Sequence, residues 1–399
     1  MAADNAMPLD GVTVVDIGTL IAGPMIATHM ADFGAEAIKV EHPRGDSLRS
    51  FAPQKDGISL WWKLTGRNKK SITCNLSAPE GQEILKKLVV DADVLIENFR
   101  PGTLEKWELS WEVLHRLNPK LILVRCSGFG QEGPYARRPG FGTLAEAMSG
   151  YSHITGEAEG PPTLPGFALA DGVSAMCGTY AVMMALYHRD MHDAPGQVID
   201  LAIYEPITTL LGPQSLMYDQ LGTIQGRTGN TLPFVAPRNT YRCKDGRYVV
   251  LSGSAHSIYK RIMAAIGRED LGEDPRMQTQ EGRVAHMKEL DEAIQAWIGE
   301  HTLEETIARF QKFEGALGPI YDIEQLLNDP HVRQRGTFIE VEDEELGTFR
   351  IQTPNPIMKD TPGRIRWPGP PKGKHTEEIL GHLGYGGEDI SRLRESGIV

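Results

Sequence analysis

VTVVDIGTLIAGPMIATHMADFGAEAIKVE (residues 12–41) decides the fold. VTVVDIG (12–18) is a β-branched run that reads as a strand. IATHMADFGAE (26–36) has apolar residues at helical spacing and a glycine stop, and AEAIKVE (35–41) is strand again. The alternation continues through KSITCNL, the helical PEGQEILKKLVVDA, DVLIENF, a helix over 111–117 and KLILVRC. Parallel neighbours need crossover helices, so this order predicts a largely parallel, doubly wound α/β sheet, a Rossmann-like layer. No G-x-G-x-x-G follows the first strand, which disfavours the usual dinucleotide fingerprint and leaves the fold standing.

Downstream, residues 127–165 form a Gly- and Pro-rich connection with one short helical piece, TLAEAMSG, before a long helix over 171–189. Irregular connections of this length usually build or cover a site. Gly, Pro, Asn and Thr rise again over 222–237, and YRCKDGRYVVLS then reads as two strands about an Asp-Gly turn. The predicted organisation is a large domain over 1–222, a smaller α+β domain over 223–330, and a return segment over 331–399 that completes the first. Helices are expected over 255–267, 283–300, 303–311, 376–383 and 390–395.

The 399 residues carry 41 Lys+Arg against 53 Asp+Glu, a formal charge of −12, and this excludes a cationic nucleic-acid binder. Cys74, Cys126, Cys177 and Cys243 are widely spaced, without a C-x-x-C pair or a zinc-ligand spacing, and read as reduced, buried thiols. The first residues lack a positive n-region and an apolar h-region, so a cytoplasmic setting is expected. The uncharged stretch 172–187 is shorter than the ~20 residues of a membrane span, and no membrane segment is expected.

Asp171 stands directly before that uncharged stretch. An Asp there ordinarily caps the helix; alternatively, the helix N–H groups and dipole hold it ionised as a nucleophile towards an acyl group, with small residues at Gly172, Ala175 and Gly178 allowing close approach. His188 and His192 share a helix face, but a third metal ligand is not evident and a dipole role is the simpler reading. Arg44, Arg49, Arg67, Lys69, Lys70, Arg100, Lys106, Arg137 and Arg138 cluster around the loops, as a solvated face or as a polyanion site at the sheet ends.

IAGP (21–24), FGAEAIKVEHPRGD (33–46), NKKSI (68–72), ENFRPG (97–102), SGFGQEGPY (127–135), TGEAEGPP (155–162) and LADG (169–172) together resemble the class III coenzyme A transferases, the formyl-CoA and carnitine CoA-transferase family that also includes the 2-methylacyl-CoA racemases. The likeness extends through YRCKDGRYVVLS, GPIYDIEQLLNDPHVRQRG and the HTEEIL tail, and so covers essentially the whole chain.

The resemblance implies an interlocked homodimer, each chain with a Rossmann-like large domain containing both termini and a smaller domain. It makes Asp171 the nucleophile and maps coenzyme A contacts onto His42, Cys74, Asn98, Phe99, Lys106 and Arg138, with Arg100 added by proximity. Coenzyme A and acyl-CoA are then substrates, and no tightly bound cofactor or metal is needed. The racemase His position is held by Phe141 and the position of its supporting Glu by Ala255, so transfer is favoured over isomerisation. QGRTGNTLP (225–233), with Gly226 and Gly229, stands where the family has a glycine-rich loop that excludes water from hydrolysable intermediates. The expected activity is transfer of coenzyme A from an acyl-CoA, succinyl-CoA in particular, to a small dicarboxylate, with Arg238 as a clamp for the far carboxylate. The alternatives are a racemase-like isomerase, revealed by α-proton exchange, and a coenzyme A-binding protein without turnover.

Overall fold

The computed structural model describes residues 6–399. Strands β1 (Thr13–Asp16), β2 (Glu36–Glu41), β3 (Lys69–Thr73), β4 (Val94–Glu97), β5 (Ile122–Ser127) and β6 (Val198–Ala202) form one sheet in the order β3-β2-β1-β4-β5-β6. Every neighbouring pair is parallel, with Val15 opposite Ile38 on one side and Leu95 on the other. The mixed α/β class and parallel sheet are therefore as the sequence predicts. Strand order reverses at β1 and β4, the crevice where open α/β sheets place ligands outside the carboxyl ends.

Burial on both faces explains the near-continuous apolar strands. Val14, Val94, Ile96, Ile122 and Val124 face α1 (Ala22–Asp32), while Val15, Leu95 and Leu123 face α2 (Pro79–Val90) and α3 (Trp111–Leu117). The C-terminal helices Thr376–His382 and Gly387–Glu395 join the second cluster through Ile379, Leu380, Ile390 and Leu393. Helix α1 starts four residues earlier than its pattern predicts; Pro24 sits in its first turn, where a missing N–H costs nothing.

The connection after β5 holds α4 (Gly142–Met148) and leads to α5 (Leu169–His192), β6 and α6 (Tyr204–Leu210). Strand β6 has no counterpart among the predicted strands: it is an edge strand with Asp200 at its centre and an exposed Val198, so its sequence lacks the apolar run of its neighbours. Helix α5 has 24 residues and is longer than predicted, long and apolar enough to cross a membrane by length and composition alone. One of its faces buries Ser174, Ala175, Gly178 and Val182, and Gly178 meets Ile26 of α1 so closely that a Cβ would overlap it. The opposite face exposes Met176, Tyr180, Met184, Tyr187 and Met191.

Two compact units divide the chain: Met1–Tyr151 with Leu164–Pro213 and Gln334–Val399, and Ser152–Thr163 with Gln214–Arg333. The predicted boundaries are 222/223 and 330/331; Ser152–Thr163 groups with the second unit, where Gly156 and Glu157 bond with Gly229 and Arg227. Within the second unit β7 (Arg238–Arg242) and β8 (Tyr248–Ser252) form the expected hairpin, with Gly246 at φ +84° in its turn, and β9 (Leu317–Pro319) pairs with β8. Helices α7 (His256–Ala265), α8 (Met287–Gly299) and α9 (Leu303–Lys312) cover it through Tyr259, Ile262, Ile294, Ile298 and Phe310. The predicted helix over 283–300 is two, broken at His286.

Candidate active site

Buried charge anchors the carboxyl ends of the central strands. Lys69 Nζ lies 2.9 Å from Asp16 and donates to Pro24 O at 2.6 Å; Lys39 lies 3.1 Å from Asp46 and 3.7 Å from Asp16. Asp46 in turn accepts the N–H groups of Leu20 and Leu48 at 3.2 and 2.9 Å, so the loops after β1 and β2 are tied to one another. The fields of Asp16 and Asp46 oppose the burial of Lys39 and hold its ammonium above the usual lysine range, whereas burial dominates at Lys69 and lowers it. Three members of the basic cluster thus have structural roles: Lys69 here, Arg67 against Asp32 at 2.6 Å, and Lys70 between Glu36 and Glu378.

Above these anchors a cleft of about 750 Å³ opens at the ends of β1, β2, β3 and β4. It brings together His42, Cys74 and Phe99, along with Arg44, Arg49 and Trp107. Phe99 stands edge-on to Trp107 at 5.0 Å. His42 Nδ1 accepts the Arg44 N–H at 3.0 Å, and its imidazole is lowered by burial and then by Arg44 and Lys372. Arg49 is held by Glu41 at 2.7 Å and lies over Trp62, whereas Arg44 enters no ion pair among the described residues. Burial pushes the Cys74 thiol up to about 12, so at neutral pH it is an apolar wall.

The other expected contacts are placed differently. Asn98 faces the loop after β1, accepting the Thr19 N–H and donating to Thr19 O, each at 2.7 Å, and so shapes the cleft from behind. Arg100, Lys106 and Arg138 are exposed and do not line it; Arg138 stacks on Tyr135 at 3.6 Å. Phe141 precedes α4 and is 60% exposed. Gly226, Gly229 and Arg238 belong to the second unit. There Gly229, at φ +60°, donates its N–H to Gly156 O, and Arg238 donates to Asn230 O at 2.7 Å. The rings of His188 and His192 lie 5.2 Å apart, tilted by 48°, and no group of three or more His, Cys, Asp or Glu gathers to hold a metal among the described residues.

Asp171 is the third residue of α5, and it does not cap the helix: the N-cap is Ala168, without a side-chain hydrogen bond. Glu146 takes that work, its Oε1 accepting the Ala170 N–H at 3.1 Å. The Asp171 carboxylate makes no hydrogen bond or ion pair among the described residues and rests against Gly142, where any Cβ would overlap its Oδ2. Gly142 and Glu146 are not evident from sequence, since a glycine and a glutamate in a short polar helix read as ordinary surface. Burial and then the charge of Glu146 raise Asp171 to about 6, the opposite of the ionising effect expected from the helix end. The Ala170 N–H at this helix end is already taken by Glu146. The result is a carboxylate that is ionised above pH 6, partly buried and unpaired, so that no partner restrains its oxygens as nucleophiles.

Residues 9–376 match the profile of CoA-transferase family III. The chain belongs to this family. Among its relatives this family III CoA-transferase is 42% identical to the succinyl-CoA–D-citramalate CoA-transferase of Chloroflexus aurantiacus, over 98% of both chains. It is 39% identical to the β subunit of the succinyl-CoA–L-malate CoA-transferase of the same organism, over 99% of both chains. A solved CAIB/BAIF family protein from Brucella suis superimposes with a TM-score of 0.83 and 30% identity, covering 95% of this CoA-transferase and 100% of the other chain. The transferase expected from the sequence motifs is thereby met.

Proposed function

We propose that the chain moves coenzyme A from succinyl-CoA to a small dicarboxylate of about the size of malate or citramalate, with Asp171 as the covalent nucleophile. The observation that carries this reading is the Asp171 carboxylate, partly buried and without a partner against Gly142 in a CoA-transferase of family III. The names of the two Chloroflexus relatives support the donor and the acceptor class.

In the proposed reaction an Asp171 oxygen attacks the thioester carbonyl; the C–S bond breaks, giving an aspartyl anhydride and the coenzyme A thiolate. The thiolate attacks the aspartyl carbonyl and releases succinate, leaving an aspartyl thioester. The acceptor carboxylate attacks that thioester, forming a second anhydride, and the thiolate then attacks the acceptor's acyl carbon, which yields the new acyl-CoA and restores Asp171. Coenzyme A is a substrate throughout, with its nucleotide end in the cleft of His42, Cys74 and Phe99. Arg100, Lys106 and Arg138 serve its phosphates from outside the cleft, and Asn98 holds the loop beneath it. Phe141 contacts the acyl group, the Gly226–Gly229 loop excludes water, and Arg238 pairs with the far carboxylate.

The working unit is a homodimer in this proposal. Its support is the uncovered apolar face of α5, with Met176, Tyr180, Met184, Tyr187 and Met191, of the kind that a soluble chain covers with a partner. A cytoplasmic setting belongs to the same proposal and accords with four unbridged cysteines.

Intact-protein mass spectrometry after mixing with succinyl-CoA, with hydroxylamine trapping and peptide mapping, tests the nucleophile. An adduct at Asp171, absent from Asp171→Ala, is expected. Turnover in Asp171→Ala, or coenzyme A binding without an adduct across a panel of acyl-CoAs, refutes it.

A further inference from the structure

Glu146 is 4% exposed, and carboxylates are seldom buried to that degree without a task. It stands four residues after Gly142, so the two share one face of α4. That face meets the start of α5 twice. The bare α-carbon of Gly142 lies against the Asp171 carboxylate, and Glu146 Oε1 accepts the Ala170 N–H at 3.1 Å.

A helix start exposes N–H groups without intrahelical partners, and a side chain that accepts one of them fixes the helix end. Here the Leu169 N–H donates to Phe167 O at 2.8 Å and the Gly172 N–H to Ala168 O at 3.0 Å, while Ala170 donates to Glu146. The Ala170 donor is therefore met from a neighbouring helix, which ties α4 to the residue directly before Asp171. The negative charge of Glu146 repels the Asp171 carboxylate from the position that Glu146 occupies.

We propose that Glu146 is a positioning residue: by accepting the Ala170 N–H it ties the start of α5 to α4, and its charge keeps the neighbouring Asp171 carboxylate unpaired beside Gly142. The inference deepens the proposed function and rests on Asp171 being the nucleophile. It also gives a reason for a like charge beside a nucleophilic carboxylate: the second acid holds the first ready rather than sharing in the chemistry.

Each element packed on α5 brings titratable groups. Helix α4 brings Glu146, and β5 the Cys126 thiol, which feels the charge of Asp171. Helix α1 brings His29, whose Nδ1 meets Thr179 Oγ1 about two turns further along α5. Helix α6 brings Tyr204 and Glu205, bonded to each other, and β6 brings Asp200, which accepts the Gln131 N–H. Of these, Glu146 is the one whose charge raises Asp171.

The test is the rate of adduct formation from succinyl-CoA, followed by rapid quench and mass spectrometry between pH 5 and 8, with acyl-CoA affinity measured in parallel. Glu146→Gln keeps an oxygen for the Ala170 N–H and removes the charge; it is expected to form the adduct with an acid limb at lower pH than the parent. Glu146→Leu removes both and releases the start of α5 from α4; adduct formation is expected to slow roughly 100-fold with unchanged acyl-CoA affinity. If Glu146→Leu does not fold, the acid limb of Glu146→Gln decides. A parental rate in Glu146→Leu, or a parental acid limb in Glu146→Gln, overturns the inference while the nucleophile stands. Absence of an adduct in the parent protein overturns the nucleophile, and this inference with it.

Discussion

Replacing Asp171 by Asn keeps shape and volume and removes the charge, which separates a helix cap from a carboxylate held at a cost. Among the described residues Asp171 has no partner, and burial together with Glu146 raises its carboxyl from 3.8 to about 6. A proton is then bound roughly 100-fold more tightly in the folded chain than in the unfolded one, which corresponds to about 3 kcal/mol. The sign follows from the direction of the shift. A carboxyl raised on folding contributes stability that is complete below its unfolded value and is lost as pH rises through the folded one. The parent protein therefore loses up to about 3 kcal/mol between pH 4 and pH 7 that Asp171→Asn does not lose. Other carboxylates titrate in the same window, but they are common to both proteins and cancel in the difference. Urea denaturation of the two proteins at intervals from pH 4.5 to 8 measures it. The expected result is a stability gap in favour of Asp171→Asn that opens as pH rises and levels off above pH 6 to 7. Parallel curves, or a gap in favour of the parent at neutral pH, would show that Asp171 is stabilised by its surroundings as a cap is, and would refute the electrostatic argument.

Three other outcomes follow from the geometry. Gly142→Ala places a methyl group on Asp171 Oδ2 and is expected to reduce kcat at least about 100-fold with the thermal midpoint nearly unchanged; parental kcat would show that the carboxylate has room to move. Asp16→Asn leaves Lys39 and Lys69 buried without their shared anion and is expected to destabilise the first unit by about 3–5 kcal/mol in a denaturant titration, with a loss below 1 kcal/mol refuting the anchoring role. Burial pushes the Cys74 thiol up to about 12, so iodoacetamide at pH 8 is expected to label partly exposed Cys177 and spare Cys74 in the native protein; fast labelling of Cys74 would show the cleft wall to be open.

Much of the frame was legible because it rests on local patterning. The runs that became β1 to β5 alternate with helical spacing, and the parallel sheet follows from that order alone. Strand β6 escaped because an edge strand is stabilised by its one neighbour rather than by its own apolar run. Within the basic cluster, sequence spacing does not tell Arg44, which lines the cleft, from Lys69, which lies beneath it holding Asp16.

The candidate site divides along the same line. The family resemblance names Asp171, through LADG, and His42, Cys74 and Phe99 as candidates from contiguous motifs. The order of strands, the position of the long helix and the family motifs are properties of contiguous segments, and the sequence by itself determined them. Which carboxylate caps α5 and which is left without a partner was decided only in three dimensions. Glu146 and Ala170 are 24 residues apart in the chain, and the hydrogen bond that joins them forms only when α4 packs across the start of α5.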